Sequence, residues 1–211
     1  EKAGLMDALD NVVMDRSCAA IAEISSWGLG PAHVSINMSM SQLRDPEILN
    51  RLLKYMDLHG VTPKQLRIEL LESTLLDERS DVIMRNVHRL IDYGFAVELD
   101  DFGTGHAAIA TLRKFAVSRI KIDRSFVKDI DTDEELQVIT GAIINLADRL
   151  GIRALAEGVE TASEQRTLQN LGCSCAQGYL HARPMPLDQL QSWMIAYQST
   201  RRGGAYHHKT A

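Results

Sequence analysis

Short apolar runs that alternate with amphipathic helices predict an α/β fold whose strands are parallel and covered by helices. Three observations carry this reading. Six strand–helix units follow one another, the chain opens on a helix with no strand before it, and nearly every apolar run ends on a polar group. A doubly wound sheet and a (β/α)8 barrel both accommodate the alternation. A barrel needs eight units and usually about 250 residues. Six units and a leading helix in 211 residues fit a TIM-type (β/α)8 barrel lacking its first two strands.

The elements follow in order. Leu5, Leu9, Val12, Val13, Ala20 and Ile24 recur at helical spacing, and Trp27-Gly28 closes that first helix. His33–Met38 is the first apolar run, and a helix opens near Asp45-Pro46, with proline at a first helical position. Leu66–Leu71 precedes a helix from Ser80 to Tyr93, stopped at Gly94. Phe95–Leu99 leads into a glycine-containing turn and a short helix ending near Lys114. Arg119–Ile122 is followed by a helix over Glu134–Leu150, and Arg153–Ala156 by one over Ala162–Leu171. Cys175–Leu180 comes last, before a helix that starts after Pro186 and carries Leu187, Leu190, Trp193 and Met194. The barrel is expected over residues 1–198. Residues 199–211, polar and glycine-rich, are expected to form a flexible tail that includes His207 and His208.

Composition narrows the function classes. A net charge of −5 argues against a protein that grips a nucleic-acid polymer through its phosphates, while leaving room for a small nucleotide in a locally basic pocket. No apolar run reaches the ~18 residues of a membrane span and no signal peptide precedes the first helix, so a cytoplasmic location is expected. Cys18, Cys173 and Cys175 are odd in number and two are separated by one residue, which reads as reduced thiols rather than a disulfide framework.

The functional signal is the polar residue at each strand end. Asn37, Glu69 with Glu72, Asp100 with Asp101, Lys121 with Asp123, Glu157 with Glu160, and Gln177 occupy the ends of successive runs. In a barrel these ends meet on one face, where the chemistry of such enzymes sits. Several carboxylates in one mouth repel one another unless cations lie between them, and hard oxygen ligands select magnesium or manganese. Two such ions can clamp the attacking and leaving oxygens of a phosphoryl displacement. A single carboxylate after a strand is as readily a helix cap or surface charge, as Asp101 or Glu160 would be alone. Lys121 and Glu157 interrupt apolar strands, where an unpaired charge is costly, and six strand ends in a row resist that simpler explanation.

These motifs carry a resemblance. Ile36-Asn37-Met38-Ser39, Glu69-Leu70-Leu71-Glu72-Ser73, Asp100-Asp101-Phe102-Gly103-Thr104-Gly105, Lys121-Ile122-Asp123, Ala156-Glu157-Gly158-Val159-Glu160-Thr161 and Gln177-Gly178-Tyr179 occur in this order. The chain resembles, from its first residues to about Met194, the bacterial EAL-domain phosphodiesterases that hydrolyse the second messenger cyclic di-GMP to linear pGpG. The resemblance implies two Mg2+ or Mn2+ ions. Asn37, Glu69 and Asp100 would ligate the first, Asp100 would bridge to the second, and Asp101 would serve the second. Glu157 would be a further metal-side carboxylate that takes the proton of the attacking water. Lys121 would hold that water and offset charge on the phosphorane, and Gln177 would orient water at the metals. Glu72 would brace the loop after Asp101. Asp123, Glu160 and Tyr179 would contact guanine and ribose. A homodimer is compatible with the family, and additional sensory or GGDEF domains are implied beside the barrel.

Two departures qualify this resemblance. The Glu-Ala-Leu motif is absent; the sequence begins downstream of it, so two strands, a metal-binding glutamate and a phosphate-gripping arginine are expected upstream, and this chain alone is expected to be weak or inactive. The loop after the aspartate pair reads His106-Ala107-Ala108 where the family has an aromatic residue and two hydroxyl residues, at a cost of about 1 kcal/mol per lost hydrogen bond. His106 reads more simply as a loop-packing residue than as an added acid–base group. A non-catalytic cyclic di-GMP receptor is the alternative those departures favour, and an interaction module is a third reading. The intact carboxylate set favours the enzyme.

Overall fold

A computed structural model describes residues 2–72, 74, 81–104, 112 and 115–204. Its centre is a parallel sheet of six strands in sequential order: β1 (Val34–Asn37), β2 (Leu66–Leu71), β3 (Ala96–Phe102), β4 (Arg119–Ile122), β5 (Arg153–Ala156) and β6 (Cys175–Ala176). Every adjacent pair is parallel, as the βα alternation requires. Around it stand α1 (Lys2–Ser26), α2 (Met40–Arg44), α3 (Ile48–His59), α4 (Asp81–Tyr93), α5 (Glu134–Arg149), α6 (Ala162–Asn170) and α7 (Leu187–Gly204). Ser35, Glu69, Glu98, Lys121 and Leu155, one from each of β1 to β5, together with Gln177 just past β6, line one cavity of about 430 Å3. The sheet therefore curls into a half-barrel, with β1 and β6 as its edges among the described residues.

Side-chain alternation divides the sheet into two chemistries. Ile36, Ile68, Leu70, Val97, Leu99, Ile120 and Ile122 face outward and are buried. They join Leu49, Leu52 and Met56 of α3 and Val87 and Leu90 of α4 in apolar clusters beneath the helices. Each such side chain contributes roughly 1.5–3 kcal/mol by leaving water. The inward face is polar and charged, which is where the site lies.

Local signals account for the helix starts. Asp133 accepts from Leu136 N at 3.0 Å to cap α5, whose first turn holds Glu134 and Glu135. Thr161 and Glu164 form a reciprocal capping box on α6. A second capping box, Ser39 with Gln42, starts α2, a five-residue helix that periodicity does not reveal. The helix expected near Asp45-Pro46 begins at Ile48, with Pro46 in the turn before it.

Two strand boundaries also differ from expectation. β3 continues through Asp100 and Asp101 to Phe102, with Asp100 paired to Lys121 of the neighbouring strand rather than ending the strand. β6 is two residues long, since the chain bends back after Gln177 and His181 N bonds Gly178 O at 3.0 Å. Helix α7 runs to Gly204. Gly105, His106-Ala107-Ala108 and most of the short helix expected before Lys114 lie outside the described residues, as do Ser73 and residues 205–211.

Candidate active site

The centre of the site is the Lys121 ammonium. Its Nζ lies 2.9 Å from Glu69 Oε2, 2.8 Å from Asp100 Oδ1 and 2.9 Å from Glu157 Oε1. Strands β2, β3 and β4 and the residue after β5 thus each place one charged group on a single point. Lys121 is only 5% exposed. Burial works against its charge, but hydrogen bonds to Asp100, Glu157 and Glu69 prevail and hold its pKa well above the ordinary lysine value. Lys121 is therefore a fixed cation at any working pH.

A local irregularity brings both members of the aspartate pair to this point. Consecutive strand residues normally face opposite sides of a sheet. Between Leu99↔Ile120 and Phe102↔Ile122 the register shifts, so β3 spends an extra residue there, and Asp101 adopts φ 53°. This bulge turns Asp101 inward beside Asp100. Carboxylate oxygens of Asp100, Asp101 and Glu157 all lie within 4.8 Å of one another. A non-glycine residue in the left-handed region costs on the order of 1 kcal/mol, which the surroundings must offset. Glu72, 4% exposed, contributes by accepting from Gly103 N at 2.9 Å, just beyond the bulge. Gly103 has φ 103°, and a Cβ there would stand 2.7 Å from Phe126 Cε2. A side chain at this position would collide with the ring as well as strain the backbone.

Crowding of like charges shows in the protonation equilibria. Burial raises the Glu157 pKa, Lys121 counters it, and Asp100 and Glu69 raise it further, leaving a net rise. Burial, then Asp100 and Asp123, raises that of Asp101 against the pull of Lys121. Glu69, Asp100, Asp101 and Glu157 are four carboxylates facing one ammonium. Such an all-oxygen, net-negative donor set fits hard divalent cations.

The remaining sequence-predicted residues stand around this centre. Asn37 lies opposite Glu69 in register at the exposed end of β1. Gln177 lines the same cavity as Glu69 and Lys121 and is held by its N–H to Ala156 O at 2.8 Å. Asp123 accepts from Ser125 N at 2.9 Å; burial would raise its pKa, but hydrogen bonds from Ser125 and the Arg124 backbone together lower it. Glu160 pairs with Arg124 at 2.8 Å in solvent. Tyr179 is half exposed, with the Arg183 guanidinium 4.5 Å from its ring centroid. Asp123, Glu160 and Tyr179 lie on the loops after β4, β5 and β6 and are not among the clustered carboxylates. A larger cavity of about 720 Å3 between β6 and α7, lined by residues such as Leu168, Trp193 and Tyr197, includes Gln177 and Tyr179 but none of the clustered carboxylates.

A second charged layer was not singled out in the sequence. Glu98, 2% exposed, lies 2.7 Å from Arg67 Nη1 and 3.3 Å from Arg119 Nη1. Next to it, burial, Arg67 and Arg119 lower the His33 pKa against the opposing effect of Glu98. The signal was available as a period of two: Arg67, Glu98 and Arg119 each precede Glu69, Asp100 and Lys121 by two residues, so each strand sends two charges inward. Cys18, Cys173 and Cys175 are free thiols.

Comparisons with known proteins agree with this geometry. The EAL domain family model matches residues 1–184. The chain is 34% identical over 194 residues to the cyclic di-GMP phosphodiesterase PA2567 of Pseudomonas aeruginosa, covering 92% of this chain and 33% of that protein. The structure of the PaMucR phosphodiesterase in complex with c-di-GMP superposes with a TM-score of 0.83 at 32% identity, over 90% of this chain and 76% of that one. The manganese and cyclic di-GMP complex of Klebsiella pneumoniae BlrP1 gives a TM-score of 0.72 at 30% identity, over 81% and 44% of the two chains. Among the curated relatives the chain spans 24% to 33% of their length. With the half-barrel, the inward carboxylates around a lysine and a family match over most of its length, the chain belongs to the EAL domain family.

Proposed function

We propose that the protein hydrolyses cyclic di-GMP to linear pGpG in a reaction that depends on divalent metal. The observation that carries this reading is the Lys121 ammonium within 2.8–2.9 Å of three carboxylates beside a fourth, at the mouth of a half-barrel. Asn37, Glu69, Asp100, Asp101 and Glu157 would hold two Mg2+ or Mn2+ ions, which when bound supply Lewis acidity toward the phosphate and toward water.

The residues divide the remaining work. Glu157, placed beside Lys121 and the aspartate pair, accepts the proton of the attacking water. The water oxygen bonds to phosphorus as the bond from phosphorus to the ribose 3′-oxygen breaks, and that oxygen takes a proton from solvent to leave as a hydroxyl. Lys121, permanently cationic, offsets the negative charge gathering on the phosphorane. Gln177 orients the water. Glu72 holds Gly103 and so the bulge that aims Asp101. Asp123, Glu160 and Tyr179 contact the guanine and ribose from the outer loops. For the whole protein the proposal includes a cytoplasmic location and neighbouring sensory or GGDEF domains.

The test is product analysis. The intact protein, incubated with cyclic di-GMP and Mn2+ or Mg2+, should yield pGpG with no product when the metal is chelated. Tight binding without turnover would replace the enzyme by a receptor of the dinucleotide.

A further inference from the structure

We propose that Glu164 is a positioning residue whose carboxylate ties the loop after β4 to the loop after β5, setting the distance between two walls of the nucleotide site. The proposal rests on the cyclic di-GMP reading above, which places Asp123 and Glu160 of these two loops against the nucleotide. The loop after β4 runs from Asp123 to Asp133, with a 3-10 turn at Arg124–Phe126, and the loop after β5 from Glu157 to Thr161. Glu164 lies on α6 and is 5% exposed. Its Oε2 accepts from Glu160 N at 2.8 Å and Thr161 N at 2.9 Å, which completes the cap of its own helix. Its Oε1 points the other way and accepts from Asp129 N at 3.3 Å, across 35 residues of chain. Capping requires only the first oxygen, so the second is available for the link between loops.

The geometry at Asp129 supports a tie under load. Asp129 adopts φ 62°, a left-handed conformation that a non-glycine residue keeps only when its surroundings hold it. Its carbonyl accepts from Thr132 N at 3.0 Å and Asp133 N at 3.2 Å, while its N–H goes to Glu164. Close packing then converts the tie into a fixed spacing. Gly158 has φ 69°, and a Cβ there would stand 2.5 Å from Arg124 Cγ, so the two loops touch directly. A further polar link, Arg124 with Glu160, has its side chains 53% and 42% exposed, and an ion pair so exposed holds little. Burial would raise the Glu164 pKa, but hydrogen bonds from the Glu160, Thr161 and Asp129 N–H groups and from the Thr161 side chain together keep it low.

Glu164→Gln separates the two roles. A carboxamide offers one acceptor oxygen; if that oxygen keeps the cap, its NH2 group meets the Asp129 N–H donor to donor. Glu164→Ala loses both links. In the intact protein, hydrogen exchange followed by mass spectrometry should show Glu164→Gln deprotecting the segment around Asp129 while the segment around Thr161 keeps wild-type protection. Glu164→Ala should deprotect both. For cyclic di-GMP hydrolysis, Glu164→Gln should raise KM about tenfold and leave kcat within about threefold, as a loosened binding wall remote from the reacting atoms implies. Wild-type exchange around Asp129, or altered exchange with an unchanged KM, overturns the proposal. A wild-type protein that does not turn over cyclic di-GMP overturns the function proposed above, and the exchange pattern then decides the tie by itself.

Discussion

Lys121 Nζ donates to Asp100 Oδ1 at 2.8 Å, so the cation of β4 is held by the bulged end of β3. The same ammonium also reaches Glu69 and Glu157, and one residue thereby neutralises part of the charge contributed by three elements. Removing it should expose the repulsion between those carboxylates. Lys121→Ala should lower cyclic di-GMP turnover by about a hundredfold or more through lost charge stabilisation, with a much smaller change in dinucleotide affinity. Steady-state kinetics beside calorimetric binding would check this, and near-native turnover would remove Lys121 from the chemistry.

Metal dependence gives a second prediction. Mn2+ or Mg2+ should raise the melting temperature, because an ion that binds the folded state alone shifts the equilibrium by mass action. Asp100→Ala deletes a carboxylate that both faces Lys121 and belongs to the Asp100, Asp101, Glu157 cluster. Differential scanning fluorimetry should show the shift abolished in this variant. A full shift in Asp100→Ala would place the ions elsewhere.

The lower layer makes a third. Glu98→Ala would leave Arg67 and Arg119 facing each other in the barrel interior without their shared carboxylate. Breaking a buried pair in this way costs about 3–5 kcal/mol. Urea unfolding should report that loss, and replacing Arg67, Glu98 and Arg119 together with apolar residues of similar volume should recover most of it. A Glu98→Ala protein as stable as wild type would show that the layer contributes no net stability.

Acid stability makes a fourth. The Glu164 pKa lies below its ordinary value of 4.5: burial would raise it, but hydrogen bonds from the N–H groups of Glu160, Thr161 and Asp129 lower it further. A depressed folded pKa means that Glu164 contributes stability above pH 4.5, and that this contribution is lost as pH falls through the folded value. Stability measured from pH 6 down to pH 3 should therefore decline less steeply in Glu164→Gln than in wild type. Parallel curves would contradict the assignment.

Sequence periodicity determined the class of this fold. Runs such as Leu66–Leu71 and Arg119–Ile122 coincide with strands because apolar side chains at alternate positions need a helix-covered face, a requirement visible without coordinates. The strand-end polar residues were legible for the same reason: Lys121 and Glu157 break apolar patterns where charge is expensive. What the pattern does not encode is the third dimension across strands. That Asp100 and Asp101 both face inward depends on a register shift against β4, and no local propensity announces it. The Arg67–Glu98–Arg119 layer joins three strands through the curl of the sheet, and the link from Glu164 to Asp129 spans two loops far apart in sequence. Chain order specified which groups reach the barrel mouth; only the packing of strands and loops decided which of them meet, because hydrogen bonds and Coulomb forces act over a few ångströms that sequence separation does not measure.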